Sequence, residues 1–197
     1  MNPLIDRRRF LERAALLAGG AAGGALFSFA PGCATQAQEK PPAQSAEAKL
    51  KELGIELPVI PRSATSLIVP CVRAGDLLFV SGHTPVGADG KNVVGRLGAD
   101  MDVKQGQAAA RLVALRVLSV VRAELGTLDR VVRVVKALGM VACTPDFTQT
   151  PAVVNGFSEL LVQVFGEAAG KGARSAVGMA SLPGGVPVEV EVILQVR

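Results

Sequence analysis

The first clear hydrophobic pattern in the chain is a pair of short apolar runs. Residues 67–69 are Leu-Ile-Val and residues 77–80 are Leu-Leu-Phe-Val, and the turn-forming residues Gly75 and Asp76 lie between them. Two such runs on either side of a tight turn predict a β-hairpin. The glycine-rich stretch at 87–95 then predicts a surface loop.

A helical period replaces the short runs over residues 103–125. Apolar side chains recur there every three or four positions, and arginines supply polar positions between them, which indicates an amphipathic helix. Asp102 is a suitable N-cap and Gly126 a suitable C-cap. The residues that this period places on the buried face are Ala108, Leu112, Leu115, Leu118 and Val121.

The second half of the chain alternates between strand and helix patterns. The β-branched run 131–136 predicts a strand that extends to 140–141, and residues 150–166 predict a second amphipathic helix. Residues 174–180 and 188–196 predict two final strands joined by a Leu-Pro-Gly-Gly connection. The order β-β-α-β-α-β-β predicts an α+β fold in which two helices pack on one face of a mixed sheet. The second helix is expected to bury Val153, Val154, Phe157, Leu160, Leu161, Val164 and Phe165.

The first 33 residues have the layout of an export signal. Residues 7–11 read Arg-Arg-Arg-Phe-Leu, which resembles the twin-arginine motif, and an uncharged, glycine-rich stretch follows at 14–30. We expect residues 1–33 to be a removable signal and the mature protein to be periplasmic. The alternative is a membrane anchor, for which the stretch is short and rich in glycine. Small residues before Cys33 also resemble a lipoprotein cleavage site, so a lipid on Cys33 is a further route to the membrane.

Composition changes this picture in two ways. Residues 34–52 are rich in Gln, Ala, Pro, Glu and Lys and predict a flexible linker, which places the folded domain at 53–197. The formal net charge of +4 suggests an anionic partner, but the first 33 residues hold four arginines against two acidic residues, so the rest carries only +2. Because the chain also lacks Trp and Tyr, which stack on bases, we expect no nucleic-acid partner.

Two charged residues of the last two strands are candidates for chemistry. Arg174 stands at the start of an otherwise apolar strand, and its guanidinium could bind a carboxylate ligand or form a structural ion pair. Glu189 and Glu191 alternate with valines, so both point to the face opposite the valines. That face could be a solvated strand surface, or it could line a cleft in an assembly where Glu189 acts as a general base.

The pattern favours neither metal binding nor redox chemistry. His83 is the only histidine and no cluster of ligands accompanies it, so we expect no metal site. Cys71 and Cys143 lack C-x-x-C spacing and are predicted to be buried, with a disulfide after export as the alternative. No nucleotide-binding fingerprint is present, and no cofactor is expected.

Residues 53–197 resemble the RidA/YjgF family, also called endoribonuclease L-PSP/chorismate mutase-like. The matching motifs include Gly-Asp-Leu-Leu-Phe-Val-Ser-Gly-His-Thr-Pro at 75–85, Ala-Arg-Ser-Ala-Val at 173–177 and Val-Glu-Val-Glu at 188–191. The phrase at 153–161 indicates a bacterial side-branch of the family, here with an export signal. The resemblance implies a homotrimer with a central β-barrel and a cleft at each subunit interface.

The same resemblance implies a reaction and a site. Archetypal members hydrolyse small reactive 2-imino and enamino acids to 2-oxo acids and ammonia without a cofactor. By the matching motifs, Arg174 would hold the substrate carboxylate and Glu189 would orient water. Gly82 and Ala176 would supply backbone contacts, and Asn155 matches an asparagine near the cleft.

Departures from the family pattern keep other functions open. Ile68 falls near the position of the family's cleft tyrosine, and Ala176 replaces a cysteine. The leading hypothesis is an enamine/imine deaminase. The alternative is a trimer that binds a small carboxylate-bearing metabolite in the same cleft without turnover. Ribonuclease activity, which the family's second name suggests, is a third hypothesis that the low charge argues against.

Overall fold

The computed structural model describes residues 45–60 and 66–197. Residues Pro41–Arg197 form one compact unit. The predicted signal segment 1–33, the candidate lipid site Cys33 and most of the predicted linker lie outside the described residues. Within the described residues, no helix is both long enough and apolar enough to span a bilayer.

Within residues 45–60 and 66–197, five strands form one mixed sheet and three α-helices accompany it. The strands are β1 (Cys71–Ala74), β2 (Leu77–His83), β3 (Val131–Ala142), β4 (Ala173–Met179) and β5 (Val188–Val196). The helices are α1 (Ala46–Glu52), α2 (Val103–Leu125) and α3 (Thr150–Gly170). The strand order is β1-β2-β5-β3-β4, in which β3 and β4 are parallel and the other neighbours are antiparallel. The predicted α+β fold, with two long helices on a mixed sheet, is thus confirmed.

The N-terminal hairpin forms at the predicted turn, but its first strand is not the predicted one. Gly75 adopts a left-handed φ of 63°, and Ala74 pairs with Leu77 across the turn. Because the turn contains only Gly75 and Asp76, the strand that pairs with β2 is the segment immediately before the turn, which is β1. The apolar run 67–69 precedes β1 instead, and its three side chains are exposed.

Helix α2 has the predicted limits, and its buried face is partly the predicted one. Leu118 and Val121 are buried as predicted, whereas Leu112 and Leu115 are half-buried. Asp102 and Gln105 form a reciprocal capping box, and Gly126 ends the helix in the left-handed conformation. Ala108 is exposed. The core-facing residues include the small side chains Ala109, Ala110 and Ala114. These are favoured because α2 and α3 approach closely: a Cβ on Gly156 would lie 2.0 Å from a backbone oxygen of α2.

Helix α1 lies inside the predicted linker 34–52, so the linker prediction is wrong for Ala46–Glu52, and the folded domain begins before residue 53. Ala46 and Leu50 are only 4 % and 3 % exposed and join the hydrophobic core. Their spacing of four places them on one side of the helix. The charged residues around them form its exposed side, which makes the composition look like that of a linker.

Polar contacts at the start of the 3₁₀ turn before β3 fix α1 in place. Ser45 Oγ donates to the Asp129 carboxylate (2.9 and 3.0 Å), and the Glu47 N–H donates to the same carboxylate (3.2 Å). In return, Glu47 Oε1 accepts the N–H of Leu128 at 2.9 Å. These contacts join residues more than 80 positions apart in sequence.

Removal of the Asp129 carboxylate should therefore loosen α1 and destabilise the domain. Asp129→Ala is expected to lower the free energy of unfolding by about 1–3 kcal/mol, since it leaves partly buried donors unpaired. For a domain of this size that corresponds to a fall in Tm of roughly 3–10 °C. Asp89→Ala is the matched control, because Asp89 is exposed and contacts only the nearby Lys91 N–H. Equal melting of the two variants would show that α1 is not anchored there.

The second long helix and the last strands follow the prediction closely, with one topological difference. Helix α3 continues to Gly170 past an interruption at Gly166, and it buries the predicted residues apart from Phe165, which is half-buried. Strands β4 and β5 have nearly the predicted limits but are not neighbours, because β3 lies between them. Residues that are close in sequence on these two strands are consequently two strand positions apart.

The two faces of the sheet differ in what covers them. Val188, Val190 and Val192 of β5 are buried on the side where α2 and α3 pack, which we call the helix face. On the other side, which we call the open face, Phe79 and Val72 are 42 % and 53 % exposed. The described chain thus leaves an apolar surface of the sheet uncovered.

Candidate functional site

Arg174, the second residue of β4, is held against the start of α3 by neutral acceptors. Its Nη1 donates to Asn155 Oδ1 (2.9 Å) and Ser158 Oγ (3.1 Å), and its Nη2 donates to the carbonyl oxygen of Pro151 (3.2 Å). Pro151, Asn155 and Ser158 are spaced by four and three residues, so they share one side of the helix. The guanidinium is therefore oriented before any ligand arrives.

The charge of Arg174 has no counter-ion in the described part of the chain. Its three partners are uncharged, and none of the ion pairs among the described residues includes it. The three contacts use three of the five N–H groups of a guanidinium, and those that remain on Nε and Nη2 can bind one carboxylate. The alternative of a structural ion pair thus lacks a partner among the described residues. Carboxylate binding stays a prediction that this geometry supports.

Two other predicted site residues lie beside Arg174. Asn155 is its direct partner, and Ala176 lies two residues further along β4, opposite Gly139 of β3. The carbonyl oxygen of Ala176 accepts a hydrogen bond from Thr150 Oγ1 at 3.3 Å, which ties the strand to the first residue of α3. We call Arg174, Asn155 and Ala176 the arginine half-site.

Glu189 lies on the open face of the sheet. It is half-buried, while its neighbours Val188 and Val190 are fully buried on the helix face. Its pKa is raised above the ordinary value, mainly because burial disfavours the charged carboxylate and also because Glu191 carries a like charge nearby. A carboxyl group with a raised pKa takes up a proton more readily than an exposed glutamate, which suits acid–base chemistry.

Gly82 lies against the Glu189 carboxylate. A Cβ at this position would be 2.0 Å from Glu189 Oε1 and 2.9 Å from its Cδ, so any larger residue would displace the carboxylate. The pairing of β2 with β5 is irregular here, with a shift between Val80 and His83, which is typical of a β-bulge. We call Gly82 and Glu189 the glutamate half-site.

A single chain does not bring the two half-sites together. Arg174 lies opposite Ala137 of β3, whose buried side chain is on the helix face, and Glu189 lies opposite Met140. Positions 137 and 140 are an odd number of residues apart, so their side chains point to opposite faces. Arg174 and Glu189 therefore lie on opposite faces of the sheet with β3 between them. A site that contains both requires residues of two chains.

A cavity of about 770 Å³ lies beside Gly82, between α2 and the segments that precede β1. Ile68 lines it and is 74 % exposed. His83 and Arg116 line it as well. In the sequence Arg116 is only one of several polar positions on α2, and nothing but the fold distinguishes it from the others.

The cysteines and the question of a metal site are the remaining features that the sequence analysis raised. Cys71 and Cys143 are buried, as predicted, and neither forms a disulfide. Among the described residues, no three His, Cys, Asp or Glu side chains are grouped in a way that could hold a metal ion.

Comparison with known proteins decides the family. The family model described as "YjgF/chorismate_mutase-like, putative endoribonuclease" matches residues 47–184. The chain belongs to this family. The match begins within α1, in agreement with a domain that starts before residue 53.

Three similar proteins match over most of their own length. Protein TCP17 of Trypanosoma cruzi is 47 % identical over 150 residues, which cover 76 % of this chain and 93 % of that protein. The crystal structure of Atu1372 from Agrobacterium tumefaciens, a protein of unknown function, has a TM-score of 0.70 at 42 % identity and covers 78 % of this chain and 94 % of its own. A structure from Shewanella oneidensis, described as a putative endoribonuclease, has a TM-score of 0.71 at 28 % identity and covers 77 % and 99 %. The resemblance to the RidA/YjgF family is thus confirmed, together with its fold.

Proposed function

We propose that this family member is an enamine/imine deaminase that hydrolyses small 2-imino acids to 2-oxo acids and ammonia. Family membership supports the class of reaction. The observation that carries the proposal is the guanidinium of Arg174, which three neutral acceptors orient and no described carboxylate neutralises. A 2-imino acid has one carboxylate, which would be the counter-ion that Arg174 lacks among the described residues.

The working site is proposed to form between two copies in a homotrimer. One copy would supply the arginine half-site and the next copy the glutamate half-site, since one chain holds them on opposite faces of its sheet. The exposed Val72 and Phe79 on the open face support self-association, because burial of this apolar surface is favourable. Open faces turned toward a common axis would form the barrel that the family resemblance implies.

The reaction requires the protein mainly to position the substrate and a water molecule. With the substrate carboxylate on Arg174, a water molecule near Glu189 adds to the imine carbon while Glu189 accepts a proton from that water. The first proton passes to the nitrogen and gives a carbinolamine. The hydroxyl proton of the carbinolamine then moves to the nitrogen as the C–N bond breaks, so that ammonia leaves and the C–O bond becomes the carbonyl. One imino acid and one water give one 2-oxo acid and one ammonia, so neither an oxidant nor a cofactor is needed.

The experiment is the hydrolysis of 2-iminopropanoate, generated in the assay from alanine by an amino acid oxidase. Pyruvate should appear faster than in the uncatalysed reaction, in proportion to the amount of the purified protein. A rate that does not depend on the protein would contradict the proposal. An RNA-cleavage assay on the same preparation should give no product, because the chain has neither Trp nor Tyr for base stacking.

A second candidate function is ligand binding without turnover in the same cleft. Ile68 favours it, because this side chain lines the same cavity as Gly82 and offers no hydroxyl group where the family's tyrosine is expected. Calorimetry with pyruvate would distinguish the two candidates. Binding that needs Arg174, in a protein without deaminase activity, would support the binding function.

The raised pKa of Glu189 predicts where activity is lost in acid. Glu189 works as a base only when ionised, so a raised pKa moves the acidic limb of kcat/KM above the pH at which an ordinary glutamate ionises. Glu191→Gln removes the like charge, so the limb should move to lower pH. The movement should be partial, because burial is the larger cause of the shift.

The matched control is Glu159→Gln, an exposed glutamate on α3. It should leave the pH profile of kcat/KM in place. An acidic limb that stays unchanged in Glu191→Gln, or that moves to higher pH, would show that Glu189 does not govern it.

We also propose that the protein is exported by the twin-arginine route to the periplasm, where a lipid on Cys33 would anchor it. The support is the Arg-Arg-Arg-Phe-Leu motif at 7–11 and the small residues before Cys33. Replacement of Arg7 and Arg8 by lysine should retain the protein in the cytoplasm, and mass spectrometry of the mature N-terminus would reveal the lipid. Normal export of that variant would contradict the route.

A further inference from the structure

The cavity beside Gly82 has walls that are mainly apolar. Its volume of about 770 Å³ lies within the range of small-molecule pockets. Leu57, Ile60, Val69 and Val120 contribute to its walls. Ser119 Oγ on α2 donates to the carbonyl oxygen of Pro58, and this bond fastens the 57–60 wall to the helix.

His83 lines this cavity, and one of its ring nitrogens has no hydrogen-bond partner. Its Nδ1 lies 3.0 Å from the carbonyl oxygen of Gly82. A carbonyl can only accept, so Nδ1 carries the hydrogen and Nε2 keeps its lone pair. Nε2 is buried and has no hydrogen-bond partner. Burial lowers the pKa of His83, and the nearby charge of Arg116 lowers it further, so the neutral form with a free acceptor predominates near pH 7.

Arg116 is the second unpartnered group on the same wall. Its Nε is buried without a hydrogen-bond partner, and none of the ion pairs among the described residues includes it. Arg116 is half-buried, and this burial lowers the pKa of its guanidinium. A partly buried cation without a counter-ion is unfavourable unless an anion completes the site. Arg122, which also lines the cavity, differs in having the Glu47 carboxylate 3.7 Å away.

We propose that this cavity binds a small organic acid with an apolar body, whose acid group pairs with Arg116 and whose neighbouring O–H or N–H donates to His83 Nε2. The acid supplies the missing counter-ion, the donor matches the free lone pair, and the apolar body occupies the space beside Val69 and Val120. The cavity is on the β2 side of the sheet, whereas Arg174 is on β4, and β5 and β3 separate the two strands. Because Gly82 belongs both to this cavity and to the glutamate half-site, the inferred ligand adjoins the proposed reaction cleft. It differs from the 2-imino acid in that Arg116, and not Arg174, holds its acid group.

A matched pair of probes tests the ligand chemistry. Indole-3-lactate has an apolar ring, an acid and an adjacent hydroxyl group, and indole-3-propionate lacks only the hydroxyl group. Calorimetry on the purified full-length protein should show binding of both, with the lactate tighter. His83→Phe should reduce the affinity for the lactate to that for the propionate and leave the propionate unchanged. No binding of either probe at millimolar concentration would overturn the proposal.

Substitution of Arg116 tests the counter-ion. Arg116→Gln should weaken binding of both acids at least about tenfold, since a charge-assisted contact is lost. It should also raise the Tm of the ligand-free protein, because an unpaired, partly buried cation is removed. A purely structural Arg116 would give a lower Tm instead, and that result would overturn the proposal.

Two control variants locate the site. Arg122→Gln should retain most of the affinity for indole-3-lactate, because Arg122 already has an acidic neighbour. Arg174→Gln should retain it as well, while losing the 2-imino acid activity. Loss of indole-3-lactate binding in Arg174→Gln, but not in Arg116→Gln, would show that the acid binds at the arginine half-site and would overturn the proposal.

Discussion

Arg174→Ala should lower kcat/KM for 2-iminopropanoate by at least about 100-fold, because a carboxylate held by two charge-assisted hydrogen bonds loses both, each worth about 1.5–3 kcal/mol. The fold should survive. The arginine donates to neutral groups that remain close to solvent, so the truncated site can hydrate Asn155 and Ser158. Steady-state kinetics and a thermal melt on the same preparation would measure both effects.

Two further variants make this expectation specific. Arg174→Lys keeps the charge but not the fork of N–H groups, so it should recover only part of the lost activity. Arg111→Ala removes a half-exposed arginine of α2 that donates to Gln163, and it should leave kcat/KM unchanged. Full activity in Arg174→Ala would remove the basis for a carboxylate-binding role.

Glu189→Gln should lower kcat by roughly 10²–10⁴-fold, the usual contribution of a positioned acid–base group. Gly82→Ala should cause a similar loss by a different route. The new methyl group would lie only 2.0 Å from Glu189 Oε1 and would push the carboxylate aside. Because the displaced atoms belong to the end of a flexible side chain, the Tm of Gly82→Ala should stay close to that of the wild type.

The double variant tests whether the two residues act together. If Gly82 matters because it leaves room for the Glu189 carboxylate, Gly82→Ala combined with Glu189→Gln should be no slower than the slower single variant. Multiplied losses would mean that Gly82 contributes in some way other than by positioning Glu189.

Local signals in the sequence were sufficient for the parts of the fold that local physics decides. Asp102, Gln105 and Gly126 place the ends of α2 through capping contacts within a few residues of each other. The strict alternation of valine and glutamate in β5 identifies its two faces without knowledge of its neighbours.

The features of the fold that the sequence pattern predicts wrongly are determined by tertiary contacts. Helix α1 is stable because Asp129, more than 80 residues away, binds its first turn, and no local pattern reports such a partner. The core-facing side of α2 is set by the close approach of Gly156, which favours alanine over leucine at the contact. The run 67–69 is apolar enough for a strand but lies beyond the reach of the two-residue turn at 75–76.

For the candidate site too, local motifs identify the residues and the tertiary structure determines how they are arranged. The motifs around Arg174 and Glu189 identify both residues, but the relation between them depends on strand order. Since β5 pairs between β2 and β3, Glu189 is carried to the open face beside Gly82, while Arg174 stays with α3 on the other side. Arg116 and His83 become candidate ligand-binding residues only because the fold places both on the wall of one cavity.

We propose that each working site combines Arg174 of one chain with Glu189 of another, and subunit mixing tests this arrangement most directly. Arg174→Ala and Glu189→Gln should each be nearly inactive alone. After denaturation and joint refolding at equal concentrations, random trimers should regain about one quarter of the wild-type activity, since one site in four receives both intact residues. Mixed oligomers that stay as inactive as the two parents would contradict a site shared between chains.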